Sequence, residues 1–215
     1  MSKIFVAIVL SVFLCASNVS AKKRQTVNHC DYDQNTYVEK CYGEDGKLLN
    51  GWAVEGNQPD SVSKNRRKIR KLRKAQKRGV GDQQQIAQEL NMATQPYTLS
   101  KFRHGKKDGL SRTIDAFEYD IKRVEYKDGR RNGLYEVYYE DHDLQVTATY
   151  KDGVLDGNVI SYNSRGRRIG KSKYKNGILI KGYCRNANGD REPLLTDGKT
   201  IVTEVGPCRD VSNRD

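Results

Sequence analysis

Three sets of side chains in this 215-residue chain are of the types that chemistry uses: its cysteines, its histidines and a dense run of cations. His29, Cys30 and Cys41 are of types that ligate zinc, but no Cys-x-x-Cys pair is present to offer two thiolates to one ion. Apart from Cys15, the cysteines are Cys30, Cys41, Cys184 and Cys208, an even set that oxidising surroundings join in any of three connectivities. Pairing Cys30 with Cys41 and Cys184 with Cys208 closes the shortest loops and would staple each end of the chain. Of the histidines, His29, His104 and His142, two occupy turn positions, and His104 stands where later segments place Asp128, Asp152 and Asn176. No Gly-x-Ser-x-Gly, His-Glu-x-x-His or glycine-rich phosphate loop occurs. The Asp-Gly pairs lack the run of carboxylates and distal Glu that calcium loops need. With no nucleophile, base and oxyanion donor in view, the expectation is a protein without catalysis, cofactor or metal.

The cations are the stronger signal. Lys64, Arg66, Arg67, Lys68, Arg70, Lys71, Arg73, Lys74, Lys77 and Arg78 fall together with no acidic residue among them. The formal net charge is +12, so these ten account for most of it and the rest is nearly neutral. The run reads as a helix, capped by Asp60, Ser61 or Ser63 and stopped at Gly79, with a thin apolar stripe of Ile69, Leu72 and Ala75. A second helix follows from Asp82, with Gln85 three residues on and Ile86, Leu90 and Ala93 on one face. Such a helical hairpin suits an anionic surface: an acidic protein partner, lipid headgroups or an envelope polymer. Nucleic acid is not the expected partner, because no aromatic residue interleaves the run to stack bases. The stripe is too thin for deep insertion into a bilayer.

What must position these residues begins with the first twenty-one. Lys3, the apolar stretch from Ile4 to Ala16 and the small-residue run to Ala21 read as a cleavable export signal over residues 1–21. The stretch is too short to span a membrane, and Leu14 before Cys15 is not the small residue of a lipid-attachment site. Export places the remainder in a periplasmic or extracellular setting, which agrees with paired cysteines. At 36% hydrophobic residues the chain is not polytopic, and thirteen tyrosines in periodic positions set it apart from a disordered tail.

That periodicity defines the body. Phe102-Arg103-His104-Gly105, Tyr126-Lys127-Asp128-Gly129, Tyr150-Lys151-Asp152-Gly153 and Tyr174-Lys175-Asn176-Gly177 recur every 24 residues. A second glycine follows at Gly109, Gly133 and Gly157, and slips by one residue to Gly182 in the last segment. Ile114, Tyr138 and Tyr162 form another column. Asp-Gly and Asn-Gly supply the positive φ of tight hairpin turns, and the residues between alternate with period two. Val146, Ala148 and Tyr150 then point one way and Gln145, Thr147 and Thr149 the other. Val124 and Tyr126 share the first face, as do Ser172 and Tyr174. Each segment is thus a pair of antiparallel strands of about six residues, and the stacked pairs extend one sheet. The tyrosine face is expected to be the packing side, with recognition of a partner as the alternative.

The Tyr-x-[Asp/Asn]-Gly-x3-Gly unit resembles a variant of the MORN repeat found in exported bacterial proteins that carry the label of antitoxin components. The opening Cys41-Tyr42…Asp45-Gly46-Lys47…Asn50-Gly51-Trp52 is similar to the first repeat of such proteins. The resemblance covers residues 41–52 and 99–183 and implies a β-sheet binding platform; the repeats of residues 99–183 lack the Trp and Gly-x-Gly of the standard unit. The resulting expectation is a mainly β, antiparallel hairpin-repeat sheet with an inserted α-helical hairpin. Its parts are a signal (1–21), an N-terminal disulfide cap with a first repeat (22–57), the basic helical insertion (58–97), the repeats (98–183) and a degenerate C-terminal cap (184–215). Its function would be protein binding as a scaffold, with occlusion of a toxin or attachment to an anionic envelope surface as alternatives. Open sheet ends leave the oligomeric state undetermined.

Overall fold

The computed structural model describes residues 25–33, 38–56, 59, 61–205 and 208. The expected export signal lies outside them. Strands and helices follow in the order β1 (Gln25–Thr26), β2 (His29–Asp33), β3 (Val38–Tyr42), β4 (Gly51–Glu55), α1 (Val62–Arg78), α2 (Gln83–Thr94), β5 (Tyr97–Arg103), β6 (Lys106–Ile114), β7 (Asp120–Lys127), β8 (Arg130–Tyr138), β9 (Leu144–Lys151), β10 (Val154–Tyr162), β11 (Arg168–Lys175), β12 (Ile178–Arg185) and β13 (Arg191–Pro193). The chain is mainly β. Eleven strands form one sheet in the order β1-β4-β5 and then sequentially to β13, while β2 and β3 pair separately. Every neighbour in the large sheet is antiparallel except the short β1–β4 pair.

Local chemistry explains the meander. At one edge of the sheet the hairpins turn through His104-Gly105, Asp128-Gly129, Asp152-Gly153 and Asn176-Gly177. The first residue of each has φ of 49°, 49°, 51° and 50°, and the glycine is positive too. Positive φ at both central positions gives the mirror-image turn whose twist matches that of paired strands. At the other edge a wider turn recurs. Asp115, Tyr139, Asn163 and Asn186 each donate a backbone N–H to the carbonyl four residues on, at 2.8–2.9 Å. The left-handed position of this turn is filled by Glu118, His142, Gly166 and Gly189.

The second-glycine column marks breaks in register: pairing shifts between Val124 and Tyr126 of β7 against β8, and between Leu155 and Val159 of β10. At Gly133, with φ 115°, a Cβ would stand 3.0 Å from the Glu125 Cβ of the paired strand, so the close approach at this register shift excludes a side chain there. Gly182 plays another part: it lies opposite Ser172, and a Cβ on it would stand 2.6 Å from that residue's Cβ. The strands run seven to nine residues from β5 to β12, longer than the six expected, because each continues past its alternating core into a turn.

The two faces of the sheet differ. Across the first, one line of directly paired residues runs Ala53, Ser100, Ser111, Val124, Tyr135, Ala148, Val159, Ser172 and Gly182. The five serine and alanine side chains of this line, Ala53, Ser100, Ser111, Ala148 and Ser172, are buried, and the Ser100 and Ser111 hydroxyls bond each other at 2.8 Å. Two chain segments cover this face. Near β4 to β6 the N-terminal segment buries Cys41, Leu49, Ala53 and Phe102 together. Near β8 to β12 the C-terminal segment lays Val202 and Val205 on a cluster of Val124, Tyr135, Val146, Ala148, Tyr150, Leu155 and Val159. Both are stapled: Cys30 is joined to Cys41 across the β2–β3 pair, and Cys184 of β12 to Cys208.

On the second face a parallel line runs Val54, Leu99, Arg112, Arg123, Glu136, Thr147, Ile160, Lys171 and Tyr183. Its buried apolar members are Val54 and Leu99, which form a third cluster with Tyr97 and Ile114. The helical pair is inserted between β4 and β5, which are direct neighbours; Tyr97, expected in the insertion, already belongs to β5. The Cys41-to-Trp52 segment is also arranged differently from a hairpin of the large sheet. Tyr42 ends β3 in the small sheet and bridges Leu48, and Gly46 occupies the wider turn type.

Candidate interaction surface on the basic helical pair

The sequence folds α1 and α2 by ordinary capping. The Ser61 hydroxyl accepts from the Lys64 N–H, and Gly79, in the left-handed region at φ 64°, ends α1. The Asp82 carboxylate accepts from the Gln84 and Gln85 N–H groups at the start of α2. The helices are tied by the Asn65 amide, which donates to the Ala93 carbonyl at 3.0 Å, and by a Lys68–Glu89 ion pair at 3.4 Å. Ile69 is the buried residue of α1, and Leu72 and Ala75 beside it are half-buried. The apolar stripe expected from sequence is therefore the side on which α1 packs.

The ten cations divide by position. Lys64, Arg67, Lys71, Lys74 and Arg78 follow at alternating spacings of three and four, which places them in one exposed stripe along α1. Among the described residues none of the five forms an ion pair, and Lys68 is the member of the ten that does. Lys77 is also exposed.

The remaining three, Arg66, Arg70 and Arg73, face the wider turn between β6 and β7. With Ile69, Phe117 and Tyr119 they line a cleft of about 420 Å³. The Arg66 guanidinium donates to the Phe117 carbonyl at 2.5 Å and lies 5.8 Å from the Phe117 ring centre. Tyr119 is 47% exposed, and its ring stacks on His142 of the next turn at 3.9 Å. The His142 Nδ1 is buried without a hydrogen-bond partner. Asp115 holds the turn rigid, its carboxylate accepting from the Phe117 and Tyr119 N–H groups at 2.8 and 2.9 Å.

Next to this turn an ionic network anchors the second face. Asp120 takes bonds from Arg112 at 2.7 Å and from Arg123, which also approaches Glu136. Burial works against the ionised Asp120, yet the hydrogen bonds and charges of both arginines outweigh it and hold the carboxyl below its usual range. Tyr138 donates to Glu136 at 2.8 Å; burial, then that bond to a carboxylate, push its phenol up to about 12. On the first face, burial likewise lifts Tyr150 to about 12, although Arg131 sits 4.5 Å over its ring.

The other residues singled out from sequence lie elsewhere. Phe102 and Tyr150 are buried, and Tyr126 and Tyr174 are half-buried against the covered face, so this ladder packs the sheet. Tyr138 and Tyr162 are half-buried, and Tyr139 donates to the Tyr162 carbonyl at 2.8 Å. Gly105, Gly129, Gly153 and Gly177 sit in the tight turns, and Gly109, Gly133 and Gly157 at the strand breaks. Phe117, Tyr119 and His142 were not apparent in the sequence as one surface. Phe117 and Tyr119 meet α1 from about fifty positions away in the chain, and His142 joins them only through its stacking on Tyr119.

Compared with protein-family models, with curated proteins and with solved structures, the chain matches none. The resemblance to the MORN variant therefore rests on the quoted residues and their spacing.

Proposed function

We propose that this is an exported, non-catalytic MORN-like sheet protein that binds an anionic protein partner, with α1 as an electrostatic clamp and the sheet as its rigid mount. The observation that carries the reading is the exposed stripe of Lys64, Arg67, Lys71, Lys74 and Arg78, whose charges have no acidic counterpart among the described residues. Like charges brought together without neutralisation repel, and an anionic partner relieves that repulsion. The two disulfides suggest a non-reducing compartment. Among the described residues, no helix is long and apolar enough to cross a membrane.

The test compares capture of envelope proteins by the full chain and by a chain in which a short turn replaces residues 57–96, leaving Tyr97 in β5. A partner held by the full chain, lost on deletion and released at high salt is the expected result, since ~1 M salt shortens screening to ~3 Å. Recovery of one stoichiometric protein regardless of the deletion would overturn the clamp.

A further inference from the structure

The exposed stripe accounts for charge but not for the cleft beside it. There, guanidinium groups meet an apolar floor and two fixed rings, a combination that general attraction to anions does not need. Arg66 is already committed to Phe117 through its carbonyl and ring. Arg70 and Arg73 line the same cleft, are exposed, and have no ion pair among the described residues. Among the described residues, no acidic side chain lines the cleft. Phe117 and Tyr119, together with Ile69, supply its apolar lining. The backbone of their turn is tied to Asp115, and the Tyr119 ring is backed by His142.

From this geometry we infer that the cleft between α1 and the β6–β7 turn is a recognition pocket for an acidic, extended peptide segment of the partner, carboxylates on Arg70 and Arg73 and an aromatic or leucine-like side chain against Phe117 and Tyr119. The inference rests on the clamp reading and gives it a sequence preference. Arginine forks match carboxylates bidentately, and aromatic rings flanked by cations accept an apolar or aromatic anchor. A cleft of about 420 Å³ holds one or two side chains, at the lower end of the ~300–1,000 Å³ of ligand pockets. A lipid surface fits less well. The outward stripe has no apolar residue, and the apolar groups lie recessed at the side of the helix, where a flat bilayer does not reach but an extended chain lying along α1 does.

The experiment uses the disulfide-bonded full chain and fluorescence anisotropy. Its probes are a labelled peptide of alternating Glu and Gly bearing a single Trp, the same peptide with Trp replaced by Gly, and vesicles of phosphatidylcholine and phosphatidylglycerol. Two charge-matched double variants are compared: Arg70→Gln with Arg73→Gln in the cleft, and Lys71→Gln with Lys74→Gln on the outward stripe. All four positions are exposed, so folding is checked simply by thermal midpoint. The Trp peptide is expected to bind the natural chain about tenfold tighter than its Gly counterpart. The cleft variant should erase that preference, and the stripe variant should keep it while weakening both peptides about equally. Equal losses in both variants, with no preference for Trp, would overturn the pocket and leave the clamp standing. Failure of every acidic peptide to bind at low salt would overturn both. Vesicle binding that outcompetes the peptides would overturn the pocket in favour of a lipid surface.

Discussion

A single carbon atom decides how closely β8 can lie against β7 where their register shifts. At Gly133 the backbone has φ 115°, and the place a Cβ would occupy is 3.0 Å from the Glu125 Cβ, on rigid strand. At Gly109, φ 108°, the nearest neighbour is Lys101 Cδ at 3.1 Å, part of a chain that can swing aside. Gly133→Ala is therefore expected to lower stability by about 3 kcal/mol, and Gly109→Ala by about 1 kcal/mol, from backbone strain alone. Urea unfolding midpoints measure both, and equal losses would show that the Glu125 contact does not matter. Asp120 gives a second prediction at this scale. Its carboxyl is held low in the folded chain, so its contribution is present above the unfolded value near ~3.9 and is lost as pH falls through the folded value. Asp120→Asn should cost about 2 kcal/mol at neutral pH, because Arg112 and Arg123 lose a charged acceptor. The gap between the natural chain and the variant should close in acid; a gap constant from neutral pH to pH ~2 would contradict the ionic account.

Among the elements, the C-terminal segment is a strap over the tyrosine face. The Val202 N–H donates to the Gly177 carbonyl at 2.8 Å, and Arg131 reaches Glu204 at 2.8 Å and the Thr203 carbonyl at 2.7 Å. Glu204 in turn is held below its usual carboxyl range by that arginine. Cys184→Ser combined with Cys208→Ser should remove about 3 kcal/mol and expose the Val202 amide to hydrogen exchange while Ala148 stays protected. Persisting protection at Val202 would mean that Arg131 and the packing of Val202 and Val205 hold the strap without the disulfide. The strap was only partly legible in the sequence: two cysteines marked it, but residues 194–205 show no periodicity that announces a covering segment. The tight turns were legible because Asp-Gly and Asn-Gly are specific to their backbone geometry. The wider turns were not. Their left-handed position is met by Glu118, His142, Gly166 and Gly189, so the geometry repeats where the residue type does not. The cleft combined both difficulties, since Phe117 and Tyr119 belong to one of those turns and meet a helix distant in sequence.

Taken whole, the molecule is a sequential meander in which a helical hairpin interrupts one pair of neighbouring strands. Glu55 and Thr98 are already paired across the point of insertion. Replacing residues 57–96 with a short turn containing Asn-Gly should then leave the sheet folded, with amide protection in β8 to β10 unchanged and the thermal midpoint shifted by no more than about 4 °C. Loss of that protection would show that Ile69 and Arg66 of α1 are needed to hold the β6–β7 turn, and hence the sheet.

Both outer strands of the large sheet are stubs, two residues in β1 and three in β13, the latter ending in Pro193. Sheets grow by offering a long edge to the next strand, and neither stub offers one. With strands ~4.8 Å apart, eleven of them span about 50 Å, and one more hairpin between the stapled ends would add about 10 Å without altering either terminus. The protein is in this sense a ruler with fixed end-stops, whose length can change only in whole hairpin steps.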